Sequence, residues 1–167
     1  KLYELKEQPF FLAVGFFKPH LPFNAPSRYW ELYDDAEMPP APNLDAPLGV
    51  DPAVSLHKSG ELTPRYTGLK QAGVVDEEEA TRLRHAYAAC VSYVGAQVGR
   101  VLEELDRLGL SENTIVVLWG DHGWHLGEQG QWCKHTNFEN ATRNAMMIRA
   151  PGRHAAPGAT TDALVEA

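Results

Sequence analysis

The chain contains 167 residues, of which 44% are hydrophobic and 22% are charged. This balance is typical of a globular protein and excludes collagen-like and disordered chains. Fifteen Lys and Arg against 22 Asp and Glu give a net charge of −7, which argues against a nucleic-acid partner because such surfaces need a broad positive field. No apolar run approaches the roughly 20 residues of a membrane span. The length fits one domain or part of a larger one.

The first predicted element is an apolar and aromatic run at residues 9–17. Such a continuous run is typical of a strand that is covered on both faces of an α/β sheet. The next segment, residues 18–23, contains Pro19 and Pro22, which stop regular pairing and stiffen a loop. Because this loop follows the carboxyl end of the strand, it lies where open α/β sheets bind ligands.

Two segments of different character follow. Residues 26–33 are expected to form a short helix with Trp30 and Tyr33 facing inward. Residues 38–73 are rich in Pro, Gly and Ser and show no helical or strand period, so they are predicted to be an irregular excursion. A loop of this length is either a substrate-side segment or a disordered one, and the sequence leaves both interpretations open.

The clearest element is a long helix at residues 76–108. Asp76 can cap the free amides of its first turn while Glu79 reaches back, and Gly109 is well placed to end it. Apolar residues recur every three or four positions and predict one buried stripe that includes Cys90. Gly95 and Gly99 lie within this helix and are expected to weaken it locally and to allow close packing against a neighbouring element.

Two further strands are predicted at residues 114–119 and 145–149. A strand, a long helix and a second strand make a crossover unit, which favours a parallel sheet with a right-handed connection. The predicted fold class is therefore α/β, with a mostly parallel sheet sandwiched by helices. No internal repeat is present.

Asp121 and His122 stand between two glycines directly after the strand at 114–119. A carboxylate beside an imidazole at a strand end is a plausible metal half-site. The alternative interpretation is a turn with a helix cap, and the dipeptide by itself favours that interpretation over a metal site. Two ligands are also too few for a hard divalent ion, so further ligands must come from elsewhere.

The neighbourhood of this pair strengthens the metal interpretation. Residues 123–135 combine glycines, tryptophans, histidines and a lysine without any regular period, which is typical of the wall of a site. Lys134 and Lys18 are suited to hold a small oxyanion such as sulfate or phosphate as point charges. The alternative for each lysine is a solvated surface cation.

Several short motifs occur in a fixed order along the chain. They are FFLAVG at 10–15, KPHLPF at 18–23, SYV at 92–94, QVGR at 97–100, GDHGW at 120–124, LGE at 126–128 and WCK at 132–134. Together they closely resemble the type I sulfatases of the alkaline phosphatase superfamily, most of all the iduronate sulfatase branch. The resemblance runs from about residue 9 to residue 152 and has weak support within the irregular excursion.

The resemblance implies a function and a site. Asp121 and His122 match two calcium ligands of the family, with Mg²⁺ less expected than Ca²⁺. Lys134 matches the lysine that contacts the sulfate, and His20 matches the histidine on its other side, with Lys18 beside it. The implied substrate is a sulfated uronic acid or other sugar, although aryl and alkyl sulfates remain open. An exported or lysosomal protein is implied as well.

Other polar residues near these motifs are interpreted as structural or supporting rather than catalytic. They are His125, His135, Asn137, Glu128 and Arg100.

The chain also departs from the family pattern. Such sulfatases use a cysteine in a Cys-x-Pro-Ser-Arg motif that is oxidised to formylglycine, and neither Cys90 nor Cys133 lies in such a motif. Asn24 begins an imitation of that motif, but asparagine cannot become formylglycine. Asp34 and Asp35 resemble the family's first calcium pair, yet they are better interpreted as solvated loop carboxylates.

One expectation covers both departures. The chain is expected to be the central part of a sulfatase catalytic domain, with the nucleophile, the first aspartate pair and any export signal upstream of Lys1. The isolated chain is then expected to be inactive. Two alternatives remain, namely a metal-dependent phosphomonoesterase or phosphodiesterase of the same superfamily, and a non-catalytic fragment or scaffold.

Overall fold

The computed structural model describes residues 1–57, 61–62, 65–66, 68–70, 74–153 and 156–165. Parts of the predicted excursion at 38–73 therefore lie outside the described residues. Within these ranges the helices and strands are α1 (Leu2–Leu5), α2 (Ser27–Trp30), α3 (Pro52–Ser55), α4 (Glu77–Arg107), β1 (Val116–Trp119), α5 (Glu139–Thr142) and β2 (Met146–Arg149). No helix in the described part of the chain is long and apolar enough to cross a membrane.

The longest element, α4, confirms the predicted helix and its start. The Asp76 carboxylate accepts the Glu79 amide at 2.8 Å, and the Glu79 carboxylate accepts the Asp76 amide at 3.1 Å. This capping box satisfies two N–H groups that have no partner within the helix. The helix gives way to a turn at Gly109, where φ is +70°.

The buried face of α4 differs in part from the predicted apolar stripe. Cys90 is fully buried, as predicted, but Arg84 and His85 are also buried at 8% and 3% exposure. A side chain added at Gly95 or Gly99 would meet no described atom within 4 Å, so the predicted close packing at these glycines is not formed. The buried face is therefore more polar than the sequence pattern indicates.

The sheet also differs from the prediction. β1 and β2 confirm the two later strands, but they pair antiparallel, with Val116 opposite Arg149. Residues 9–17 are mostly exposed and form no strand, which corrects the predicted first strand and its parallel crossover. A strand requires a neighbour that completes its ladder of hydrogen bonds, and the described residues provide none for this run. The wider sheet between helices stays a prediction.

The short helix α2 packs against α4, as the inward-facing Trp30 and Tyr33 predict. The Trp30 ring stacks on the imidazole of His85, with 3.9 Å between ring centroids, and the Trp30 carbonyl lies 2.8 Å from Nε2 of His85. The hydroxyl of Tyr33 lies 2.6 Å from Oγ of Ser92. The end of α2 and the residues that follow it are thereby held against the long helix.

The buried core lies between the loop at 18–23, the first half of α4 and the segment 124–132. Its centre is formed by Leu21, Leu62 and Trp124, which are at most 9% exposed. Partly buried side chains pack around this centre: Phe23, Tyr66, Leu69, Val75, Leu83, Tyr87, Leu126 and Trp132. The core thus joins two loops that the sequence singled out for chemistry.

Candidate active site

Two loops that are far apart in sequence meet at the candidate site. The Nζ atom of Lys134 lies 3.0 Å from Nε2 of His20. Both side chains lie against Trp124, whose ring centroid is 5.9 Å from the Lys134 ammonium and 6.5 Å from the His20 ring. Because Trp124 belongs to the buried core, it fixes where these two polar groups stand. The structure therefore brings together two of the predicted site residues.

The hydrogen-bond partners of His20 define its tautomer. Nδ1 lies 2.9 Å from the carbonyl of Leu21, which can only accept, so Nδ1 carries a hydrogen and donates. Nε2 faces the ammonium of Lys134, which can only donate, so Nε2 presents its lone pair. A ligand that takes the Lys134 ammonium as its own partner would leave Nε2 directed towards that ligand.

A buried carboxylate, which the sequence did not single out, completes the cluster. Oε1 of Glu61 lies 3.1 Å from Nζ of Lys134 and 3.6 Å from Nε2 of His20, and Oε2 lies 3.5 Å from Nδ1 of His135. Glu61 is only 8% exposed. It comes from the irregular excursion and is surrounded by nitrogen groups of the candidate site. The sequence contained no signal for it, because a single Glu in an aperiodic loop is ordinarily solvated.

Lys18 lies at the same loop but points its amino group at loop oxygens. Its Nζ donates to the carbonyls of Pro22 and His20, the latter at 3.4 Å, and to Oδ1 of Asn24 at 2.5 Å. These contacts hold the 18–24 loop in shape. Lys18 would have to release at least one of them to reach a bound anion.

Asp121 and His122 stand in the turn that follows β1. Nδ1 of His122 lies 2.8 Å from the carbonyl of Gly123 and therefore carries a hydrogen, so the lone pair of the neutral ring is on Nε2. This Nε2 lies 3.5 Å from Oδ2 of Asp121, whose side chain is 85% exposed. Two atoms bound at right angles to one Ca²⁺ are about 3.3–3.7 Å apart. The pair thus fits half of a cation site.

The described residues do not complete that cation site. Across the described ranges, no group of three or more His, Cys, Asp and Glu side chains is placed to hold a metal. The turn itself is firmly positioned, because the amide of Gly123 donates to the carbonyl of Ala141 at 2.8 Å and that of Gly120 donates to Ala145 at 3.1 Å. Both contacts tie the turn to α5 and to the residue that precedes β2.

The supporting residues of the 125–136 loop make structural contacts. His125 is fully buried, its Nε2 lies 2.7 Å from Oγ1 of Thr136, and burial lowers the pKa of this imidazole. The Glu128 carboxylate accepts the amide of Leu126 at 2.7 Å. Arg100 donates to Gln97 at 3.0 Å on an exposed helix face. Each of these three side chains therefore has a partner within the protein, and their supporting roles stay a prediction.

Neither cysteine is presented to the candidate site as a nucleophile. Cys90 and Cys133 are fully buried, and burial raises the pKa of the Cys90 thiol. Asn24, which stands where a nucleophile motif would begin, instead accepts the hydrogen bond from Lys18. Asp35 lies 2.5 Å from Nδ1 of His85 and Asp34 accepts the amide of Ala36, so both carboxylates have local partners.

Comparison with solved structures identifies the class of protein. Phosphonate monoester hydrolase SpPMH from Silicibacter pomeroyi matches with a TM-score of 0.62 and 29% sequence identity, over 80% of this chain and 27% of that chain. A curated relative from Trinickia caryophylli, at 29% identity over 89% of this chain, is named as a multifunctional alkaline phosphatase superfamily protein. The chain therefore shares its fold with hydrolases of the alkaline phosphatase type.

The family itself follows from the sequence comparisons. A family model described as Sulfatase matches residues 2–167, so the chain belongs to the sulfatase family. Similar curated proteins include iduronate 2-sulfatase from Mus musculus, at 39% identity over 88% of this chain and 27% of the relative. Choline-sulfatase from Rhizobium meliloti is 32% identical over 97% of this chain and 33% of the relative. The chain thus spans between a quarter and a third of the length of these relatives.

Proposed function

We propose that this chain forms part of the active site of a sulfuric ester hydrolase. The observation that carries the proposal is the convergence of Lys134 and His20, 3.0 Å apart, above a buried tryptophan. A sulfate ester presents three oxygens that share one negative charge, which an ammonium point charge and an imidazole can bind together. Membership in the sulfatase family supports the same reaction.

Each residue has a distinct proposed role. Lys134 binds a sulfate oxygen and offsets the charge that gathers there during cleavage. Once the sulfate has taken the Lys134 ammonium as its partner, Nε2 of His20 faces the ester oxygen and holds the proton that the leaving alcohol requires. The hydrogen bond from Nδ1 to Leu21 is compatible with both protonation states of His20. Lys18 keeps the loop in shape and is the second candidate cation for the sulfate.

Asp121 and His122 are the proposed protein ligands of a divalent cation. Ca²⁺ suits this site better than Mg²⁺, which demands a near-ideal octahedron. When bound, the cation would supply a Lewis acid that polarises the sulfate and lowers the cost of forming the nucleophile. We propose that the family's formylglycine nucleophile comes from a segment other than residues 1–167, because Cys90 and Cys133 are both buried.

A sulfated uronic acid or another sulfated sugar is the proposed substrate. The support is the 39% identity to a protein named iduronate 2-sulfatase. Choline-sulfatase and an arylsulfatase from Clostridium perfringens are also similar, at 32% and 29% identity, so alkyl and aryl sulfates are the alternatives. The excursion at 38–73 is the proposed substrate-side segment because it delivers Glu61 to the site. We expect the whole protein to be exported or lysosomal.

A second candidate function is hydrolysis of a phosphate or phosphonate ester. The likeness to a phosphonate monoester hydrolase favours it, but no curated relative at 30% identity or more in the comparisons above carries such a name. A third interpretation is a scaffold without catalysis.

One experiment separates these functions. The full-length protein is assayed with 4-nitrophenyl sulfate, 4-nitrophenyl phosphate and a 4-nitrophenyl phosphonate ester, alongside a Lys134→Met variant. The proposal expects the highest kcat/KM on the sulfate ester and loss of that activity in the variant. A higher kcat/KM on either phosphorus ester would support the second candidate. Absence of turnover on all three, and on a 2-sulfated uronate disaccharide, would support the scaffold.

A further inference from the structure

Glu61 is a fixed negative charge inside the candidate anion site. Its Oε1 atom lies 3.1 Å from the ammonium of Lys134 and its Oε2 atom lies 3.5 Å from Nδ1 of His135. The side chain is only 9% exposed, and that of Lys134 is 17% exposed. A buried carboxylate costs free energy unless nearby donors and cations satisfy it. The surrounding nitrogen groups therefore hold Glu61 in place.

This carboxylate acts on any anion that binds Lys134. The anion and Glu61 would both be partners of the same ammonium, so they lie close together in a partly buried, weakly screened region. Their repulsion is proportional to the charge of the anion. A sulfate monoester carries one negative charge, whereas a phosphate monoester carries nearly two above its second pKa of about 6. The repulsion from Glu61 is then about twice as large for the phosphate ester.

We propose that Glu61 determines the specificity of the site by favouring singly charged sulfate esters over doubly charged phosphate monoesters. The inference rests on the proposed function, in which Lys134 and His20 bind the sulfate group. The inference concerns only the part of the sulfate-over-phosphate preference that the Glu61 carboxylate causes. It therefore does not depend on the other charges around the anion. It also gives the excursion at 38–73 a defined role, because that segment carries Glu61.

The test compares two ligands of matched shape in the full-length protein. Affinities for phenyl sulfate and phenyl phosphate are measured at pH 8 by isothermal titration calorimetry, and kcat/KM is measured for the two 4-nitrophenyl esters. In Glu61→Gln we expect the preference for sulfate over phosphate to fall by about tenfold or more. Glu61→Asp, which keeps the charge, should retain most of the preference.

Glu79→Gln is the matched control. Glu79 is buried to a similar degree, at 7% exposure, but its carboxylate caps α4. This variant should lower the melting temperature without changing the sulfate-to-phosphate ratio. An equal change of the ratio in Glu61→Gln and Glu79→Gln would overturn the inference, because it would show a general loss of stability. An unchanged ratio in a folded Glu61→Gln would overturn it as well.

Three further outcomes complete the test, and the last two keep this inference separate from the proposed function. If Glu61→Gln does not fold, the same comparison is made with Glu61→Met, which also removes the charge, and an unchanged ratio in that folded variant overturns the inference. If the wild type hydrolyses no sulfate ester but Glu61→Gln still shifts the calorimetric ratio, the proposed function fails and the charge selectivity stands. If the wild type is a sulfatase and the ratio does not shift, only the selectivity fails.

Discussion

Gly123 packs so tightly against Asn140 that no other residue fits at its position. A β-carbon placed on Gly123 would lie 2.0 Å from the carbonyl oxygen of Asn140, far inside the contact distance of the two atoms. This close approach presses the turn after β1 onto α5, and the turn carries Asp121 and His122. The direction of the two proposed metal ligands therefore depends on a glycine that has no chemistry of its own.

The first prediction follows from that contact. Gly123→Ala should destabilise the protein by about 1–3 kcal/mol, because a backbone carbonyl has to move away from the added methyl group. Gly120→Ala is the matched control, since its β-carbon would meet the nearest atom, the carbonyl oxygen of His122, at an ordinary 3.7 Å. Urea denaturation of both variants checks this. Equal destabilisation of the two would contradict the packing explanation.

Lys134 should be essential for sulfate hydrolysis. In the full-length protein, Lys134→Met should lower kcat/KM for 4-nitrophenyl sulfate by about 10²–10³, the usual effect of removing one group that stabilises transition-state charge. Lys134→Arg should recover part of the loss because it restores the positive charge. The control is Lys6→Met, since the Lys6 ammonium lies beside the exposed Glu7 and over the ring of Tyr3. Comparable losses in both lysine variants would argue against the assigned role.

His20 should matter most for substrates with poor leaving groups. If it protonates the departing alcohol, His20→Gln should lower kcat/KM by about 10²–10⁴ on an alkyl sulfate and by much less on 4-nitrophenyl sulfate. The reason is that nitrophenolate leaves readily without a proton. Steady-state kinetics on the two esters checks this expectation. Equal losses on both esters would show that His20 only positions Lys134.

Removal of the proposed metal ligands should weaken calcium binding. Asp121→Asn should raise the Ca²⁺ concentration needed for half-maximal activity by about tenfold or more. It should also reduce the rise in melting temperature that Ca²⁺ gives to the full-length protein, because ligand binding stabilises the folded state. Asp162→Asn, at an exposed position near the C-terminus, is the control. An unchanged calcium response in Asp121→Asn would remove this residue from the site.

His125 should make stability depend on pH. Burial lowers its pKa below the ordinary value of about 6.5, so the folded state favours the neutral ring. The unfolded chain then binds more protons, and stability that is fully present above about pH 6.5 is lost as the pH falls through the lowered pKa. Melting temperatures from pH 8 to pH 5 measure this loss. His125→Gln should flatten that part of the profile, and an unchanged profile would contradict the assignment.

Local patterns predicted much of the secondary structure. The capping residues Asp76 and Glu79 specify the start of α4 through contacts within one turn, and such contacts do not depend on the rest of the fold. The apolar runs at 114–119 and 145–149 succeeded as strand predictions because each strand finds its neighbour in the other. The run at 9–17 failed as a strand prediction because strand formation depends on a neighbouring ladder, which hydrophobicity alone does not specify.

The motifs of the sequence determined the family and selected His20, Lys18, Lys134, Asp121 and His122 as site residues. Only the tertiary structure decided how they are arranged. It placed Lys134 against His20, turned Lys18 towards its own loop, and brought Glu61 beside both Lys134 and His20. The physical reason is that residue types and their local spacing determine which functional groups are present and which short-range hydrogen bonds form. Which charges meet across 114 positions is set by the packing of both loops on Trp124.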